Sequence, residues 1–195
     1  MKPVIDVAHA SVSESADIAR VYNQGIESRT ATFETRLRTE EDIGEWFDEA
    51  QLILTARIAG KFVGFASVFG YSARECYRGV GEFSVYVDSK WQARGVGRVL
   101  MTRLIKEAAA REYWKILSRV FPENGACLSL LDSVGFRRVG EYRKHGKLDG
   151  AWRDVVIVER WIGYNACRIE CAGAVPEQEM GVEICPEAGF WLHCW

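Results

Sequence analysis

The sequence predicts one mixed α/β domain of the α+β type over residues 1–162, with an extension outside the fold over residues 163–195. Three observations lead there. Short alternating apolar runs and longer runs with apolar residues three and four apart succeed one another along the chain. Glycine, proline, asparagine and serine punctuate them at short intervals. After Ile162 the pattern stops: GYNACRIECAGAVPEQEMGVEICPEAGFWLHCW is acidic, carries two prolines and has no sustained period.

Val4 to Ala8 alternates and predicts a first strand. Ser13 or Ser15 is placed to cap a helix through IARVYNQGIES, in which Ile18, Val21, Tyr22 and Ile26 share one face. Thr39, with Glu41 and Asp42 behind it, opens a second helix, DIGEWFDEAQ; acid in the first turn suits the helix dipole. LILTARIAG and KFVGFASVFGY are two strands around a tight turn at Gly60-Lys61. Beyond the polar loop SARECYRG, Glu82 to Val87 is a fourth strand. Gly95 to Trp114 is the strongest helix, with Val96, Val99, Leu100, Leu104, Ile105 and Ala108 on one side. KILSRVF is a strand ended by Pro122. Asn124 opens a helix through ACLSLLDSV, which Gly135 stops. FRRVGEYRKH and AWRDVVIVERW close the domain as a strand pair. The order is β-α-α-β-β-β-α-β-α-β-β.

At 195 residues, with 48% hydrophobic and 27% charged residues, the chain is long enough to bury a core without disulfides or a metal. Its net charge of −2 argues against a general nucleic-acid binder, which needs a basic field. No apolar run approaches the roughly 20 residues of a membrane span. The start, MKPVIDVAHASVSESAD, has neither the apolar region nor the cleavage site of a signal peptide, so the expected compartment is the cytoplasm. Cys76 and Cys127 lie in the domain; Cys167, Cys171, Cys185 and Cys194 lie in the extension. Their spacing matches no paired zinc arrangement, and free thiols are expected rather than disulfides or a metal site.

The hexapeptide QARGVG, Gln92 to Gly97, sits between a strand and the strongest helix. A P-loop would end in Gly-Lys-Ser/Thr, which is absent. A dinucleotide fingerprint would carry a third Gly or Ala where Leu100 stands. What remains is a helix N-terminus whose first amides are unpaired and whose glycines admit a phosphate closely. Arg94 and Arg98 flank it. On spacing alone, a simple turn and a phosphate cradle stay open.

VYVDSKWQARGVGRVLM resembles the acetyl-CoA-binding motif of the GCN5-related N-acetyltransferases (GNAT), Gln/Arg-x-x-Gly-x-Gly/Ala after the fourth strand, and the element order is that of the family. VYNQGIESRTATFET, YSARECYRGVGEFSVYVD and KHGKLDGAWRDV resemble its phosphinothricin acetyltransferase subfamily. The resemblance covers about residues 3 to 162. It implies the GNAT fold, a mixed sheet of about seven strands with about four helices. It also implies acetyl-CoA as co-substrate, a small-molecule amine as acceptor, and a homodimer; no nucleic-acid or membrane partner is expected from the charge and the lack of a long apolar run.

Carried onto this chain, the resemblance implies that Gln92, Ala93, Arg94, Gly95, Val96, Gly97 and Arg98 bind the pyrophosphate. Val85, Tyr86 and Val87 would pair with the pantetheine arm as an added strand does. Asn124 matches a position that contacts that arm, although a helix cap accounts for it equally well. Glu82 matches the catalytic base that takes the amine's proton; without the motif it would read as a solvent-facing strand residue. Phe33 and Glu34 match the loop walling the pocket, and Arg74 and Tyr77 match the loop before the catalytic strand. Lys144, His145 and Trp152, with Asp154, match a closing segment; their plain readings are surface charge, satisfied polar contacts and, for Trp152, core. Leu131 stands where the family carries Tyr or His, so no dedicated acid is expected for the leaving thiolate.

The expected activity is transfer of acetyl from acetyl-CoA to the amino group of phosphinothricin, methionine sulfone or sulfoximine, or a related toxic analogue. Acetylation of such a compound would confer resistance to it. Alternatives are a protein N-terminus or a polyamine as acceptor, or a non-catalytic acyl-CoA-binding module. Two arginines in the SARECYR loop favour an anionic acceptor over a polyamine.

Overall fold

The computed structural model describes residues 3–49 and 52–163. Its elements are β1 (Asp6–His9), α1 (Ser15–Ser28), α2 (Glu40–Glu49), β2 (Leu52–Ile58), β3 (Lys61–Gly70), β4 (Val80–Val87), α3 (Val96–Ala110), β5 (Lys115–Val120), α4 (Gly125–Ser133), β6 (Arg137–Leu148) and β7 (Ala151–Trp161). Short 3-10 turns precede α1 and α3 and interrupt the β3–β4 connection. The predicted order holds. The extension predicted over residues 163–195 lies, beyond Gly163, outside the described residues.

All seven strands form one sheet, ordered β1-β2-β3-β4-β5-β7-β6. Every neighbouring pair is antiparallel except β4 and β5, which are parallel. β2 and β3 are apolar almost throughout because both faces of the sheet are covered there. Ile53, Phe62 and Phe65 pack with Ile18, Val21, Tyr22 and Ile26 of α1 and Ile43 of α2. Leu54, Ala56, Val63, Ala66 and Val68 point the other way, into a cluster with Leu100, Met101 and Leu104 of α3 and Leu128 and Leu131 of α4. Leu131 is fully buried, as a core residue of that cluster.

Local chemistry moves several boundaries. Ser11, not Ser13 or Ser15, starts the first helical segment: its N–H donates to Glu14 Oε2 at 3.0 Å, while Ser15 Oγ donates back to the Val12 carbonyl. Thr39 does cap α2, reciprocally with Asp42, whose N–H reaches Thr39 Oγ1 and whose carboxylate accepts the Thr39 N–H. The β2–β3 turn is Ala59-Gly60, both at positive φ, rather than Gly60-Lys61. β1 begins two residues later than predicted, and β4 two residues earlier. α3 ends at Ala110 instead of Trp114, and Val99 is exposed rather than on its buried face.

Two features fix the frame of the sheet's centre. Gly64 of β3 lies against the backbone of β4: a Cβ there would sit 2.6 Å from the Tyr86 carbonyl oxygen. Glu159 of β7, almost wholly buried, accepts Lys115 Nζ of β5 at 3.1 Å and an N–H of Arg137 of β6. Burial pushes its pKa up, but the two cations and their hydrogen bonds outweigh that and hold it below the usual range.

Gly64→Ala should therefore force β3 from β4 and cost about 1–3 kcal/mol. Urea unfolding would show this as a lowered midpoint with an unchanged slope; an unchanged midpoint would mean that the two strands give way freely.

Candidate active site

Parallel pairing between β4 and β5 runs through Val80–Lys115, Gly81–Ile116 and Glu82–Leu117, and there it stops. β4 continues to Val87, still paired with β3 along its other edge. β5 continues to Val120, still paired with β7. Beyond Glu82 the facing edges part, and a cleft opens between them. Ser84, Val85 and Tyr86 line it from β4, Ser118 and Arg119 from β5, Thr30 from the loop after α1, and Asn124 and Cys127 from α4. An unpaired strand edge of this kind carries backbone donors and acceptors that an extended ligand satisfies.

Glu82 stands at the head of the cleft, on the last rung before the strands part. Arg119, two residues beyond its partner Leu117, shares its face of the sheet. Arg119 Nε donates to Glu82 Oε1 at 3.1 Å, and Nη2 donates to the same oxygen. Among the described residues no donor reaches Oε2. The pair is partly open to solvent, with side-chain exposures of 33% for Glu82 and 46% for Arg119. Tyr86, further along β4, stacks on Phe65 and meets Tyr22 edge-on. Burial pushes its hydroxyl well above the usual tyrosine pKa, so it stays neutral. Cys127 is likewise pushed up, to about 11, by burial.

The open edge leads into the segment Gln92 to Arg98. Ala93 and Gly95 take positive φ, which turns the chain into α3. The first helical bond is Val99 N–H to the Gly95 carbonyl at 3.1 Å, so the amides of Val96, Gly97 and Arg98 precede the ladder. A Cβ on Gly97 would sit 2.8 Å from Leu130 of α4, so the glycine permits the close approach of the two helices. Arg98 is exposed, and the Arg94 guanidinium lies 5.0 Å over the Trp91 ring. Three free amides at a helix N-terminus beside an open strand edge suit a diphosphate joined to an amide-bearing arm.

The remaining expected residues fall in four places. Asn124 is a helix cap: its Oδ1 accepts the Cys127 N–H at 3.1 Å, and its Nδ2 donates to the Thr30 carbonyl at 3.1 Å. It thereby ties α4 to the loop after α1, while also lining the cleft. Phe33 packs edge-on against Phe121, beside Leu148 and Val155, and Glu34 pairs with Arg38 at 2.8 Å. Arg74 and Tyr77 flank the 3-10 turn just before β4, both exposed, with Tyr77 against Tyr71. Lys144 and His145 occupy an irregularity in β6, where the Lys144 N–H donates to Asp154 Oδ1 at 2.6 Å. Trp152 is exposed under Lys147, so its plain reading as core is corrected. The cleft thus gathers Val85, Tyr86 and Asn124, with Glu82 at its head through Arg119, while none of Phe33, Glu34, Arg74, Tyr77, Lys144, His145 and Trp152 lines it. Arg119 is the residue that sequence reasoning missed. Its signal was present in the alternation of KILSRVF, but only the register of β5 on β4 places it beside Glu82.

The family model described as the acetyltransferase (GNAT) family matches residues 18–136. A phosphinothricin N-acetyltransferase from Streptomyces viridochromogenes is 26% identical over 162 residues, which cover 80% of this chain and 87% of that protein. An L-methionine sulfoximine/L-methionine sulfone acetyltransferase from Salmonella typhimurium is 25% identical over 169 residues, covering 85% of this chain and 99% of the other. Among solved structures, a GNAT superfamily phosphinothricin acetyltransferase from Sinorhizobium meliloti in complex with acetyl-CoA superposes with a TM-score of 0.76. It is 20% identical and covers 84% of this chain and 90% of that one, a likeness of fold.

One buried acid anchors the loop between β4 and α3. Asp88 follows β4 directly, accepts the Lys90 N–H at 3.0 Å and pairs with Arg20 of α1. Burial pushes its pKa up, but the bonds from Arg20 and the Lys90 amide outweigh this and leave it lowered. A carboxylate with a depressed folded pKa stabilises above the unfolded value, about 3.9, and loses that contribution as pH falls through the folded one. Asp88→Asn should cost about 1–2 kcal/mol at pH 7, since Arg20 is partly solvated. The gap to wild type should close as the pH drops below about 4. Urea unfolding of both proteins at pH 7 and pH 3 checks this; a gap independent of pH would assign the cost to packing.

Proposed function

This chain belongs to the GNAT acetyltransferase family, and we propose that it acetylates the α-amino group of a small amino-acid-like compound. It is an acetyl-CoA-dependent N-acetyltransferase. Phosphinothricin and methionine sulfone or sulfoximine, the compounds in its relatives' names, are the acceptors assigned to it, and acetylation would make it a resistance enzyme toward them. The observation that carries the reading is Glu82 at the head of the open β4 edge, with Oε2 unpartnered among the described residues.

An amine reaches the site as an ammonium and must lose a proton before it attacks. Glu82 Oε2 accepts that proton, directly or through a water. The amine nitrogen then bonds the thioester carbonyl carbon, and the C–S bond breaks to release the thiolate. With a free-thiol pKa near ~8.5, the thiolate leaves with the amine's remaining proton or a water as donor. Leu131, sealed in the core, takes no part. Cys127 stays protonated at neutral pH because burial has raised it to about 11, which argues against an acetyl-cysteine intermediate and for direct transfer. Arg74 and Tyr77, exposed before β4, and Phe33 and Glu34, on the loop tied down by Asn124, are the residues assigned to the acceptor. Lys144, His145 and Trp152 are assigned to a more distant closing segment. The cationic side chains Arg74 and Arg119 weigh against a polyamine.

A homodimer in the cytoplasm completes the proposal. The exposed Tyr142 and Trp152 of the β6–β7 hairpin support the dimer. The two free cysteines among the described residues agree with a reducing compartment.

A thiol-release assay with acetyl-CoA and, in turn, phosphinothricin, L-methionine sulfone, spermidine and a peptide tests the acceptor class. Turnover is expected with the first two, and Glu82→Gln should lower kcat about 100-fold or more. Turnover confined to spermidine or the peptide would overturn the acceptor, and an unchanged rate in Glu82→Gln would remove it as base.

A further inference from the structure

We propose that Arg119 determines the acceptor class: its N–H groups not engaged by Glu82 take the carboxylate of an α-amino acid, which sets the amino group against Glu82 Oε2. The inference deepens the proposed function and rests on its placement of the acceptor beside Glu82.

A guanidinium has five N–H groups in a planar fork. Nε and Nη2 of Arg119 both converge on Glu82 Oε1, and no other described residue accepts from this side chain. Nη1 is therefore unmatched, on a residue that lines the cleft. On the other partner the unmatched atom is Oε2. The pair thus offers one open acceptor and one open donor fork, side by side, at the point where β4 and β5 part.

Charge points the same way. A lone carboxylate at the head of the cleft would repel an incoming carboxylate, and a lone guanidinium would repel an ammonium. Together they form a dipole that matches a zwitterion whose two charged groups leave the same carbon. A polyamine or a peptide N-terminus has no carboxylate at that carbon and would leave the guanidinium facing an uncharged or cationic group. Arg binds carboxylate by a two-point fork that Lys does not reproduce. A site built to bond a particular polar group discriminates strongly against analogues that lack it.

The test reads binding rather than turnover, in the dead-end complex with CoA. Calorimetry compares L-methionine sulfone with 3-(methylsulfonyl)propan-1-amine, the same molecule without its carboxylate. Wild type should bind the amino acid roughly 30-fold tighter or more, the scale of charged hydrogen bonds. Arg119→Met should bring that ratio to within about 3-fold, Arg119→Lys should keep part of it, and Glu82→Gln should keep most. Unchanged CoA affinity in each variant reports an intact fold. If a variant loses CoA binding, the ratio in Arg119→Lys decides. The proposal is overturned if wild type shows no preference for the carboxylate, or if Arg119→Met keeps the full ratio. Glu82→Gln turning over at the wild-type rate would instead remove the base and leave the Arg119 ratio standing, so the two failures are told apart.

Discussion

The site depends on one constraint: β4 has two strand partners as far as Glu82 and one thereafter. The parting is held from both sides. β3 pairs with β4 from Gly81 to Val87, and Gly64 lets the two backbones close to a distance that no side chain would allow. β7 pairs with β5 along all six of its residues, which prevents β5 from following β4. Glu159 then locks β5, β6 and β7 through Lys115 and Arg137. Neither strand is free to close the gap, so the unsatisfied edge is a fixed part of the native state. A ligand that pairs with it meets an edge already in place, which lowers the ordering cost of binding.

The ion pairs divide by burial. Glu159 and Asp88 are nearly inaccessible, and each is bonded by two donors: Lys115 and Arg137 for Glu159, Arg20 and the neighbouring Lys90 N–H for Asp88. Breaking such a pair strands a buried charge. Glu82 and Arg119 are different: both are substantially solvated, and an exposed pair of this kind contributes about 0–1 kcal/mol. Stability does not explain why two opposite charges stand at the head of a cleft. Their value lies in what each leaves open, an acceptor oxygen on one and a donor fork on the other.

Local signals in the sequence located the elements well. The α1 face of Ile18, Val21, Tyr22 and Ile26 is buried as its spacing predicts, and AWRDVVIVERW is β7 end to end. Ser11 displaced the expected Ser13 or Ser15 as first cap because Glu14 reciprocates its N–H, a pairing decided by three-residue spacing rather than residue type. Arg119 was not legible for another reason. Alternation gives the face of a strand residue, but its neighbour across a parallel pair depends on register, which neither strand's sequence encodes alone. Trp152 shows the reverse limit: a large aromatic in an alternating strand reads as core, yet β6 and β7 end the sheet and one face there is uncovered.

The same distinction explains why the cofactor side of such a site is easier to read than the acceptor side. In the proposed reading the cradle for acetyl-CoA consists of backbone: helix amides before the first bond of α3, and the open edge of β4. Turning the chain into α3 and packing that helix close to α4 need glycine at particular points, and Gly95 and Gly97 print those needs into six consecutive residues. In the same reading the acceptor side draws on side chains from the loop after α1, the turn before β4, β5 and the start of α4. No short motif spans those segments, and each residue has an ordinary structural role as well. Asn124 caps a helix, Phe33 packs on Phe121 and Glu34 pairs with Arg38. What brings a carboxylate and a guanidinium thirty-seven positions apart to the same space is the parting of two strands, which exists only in three dimensions.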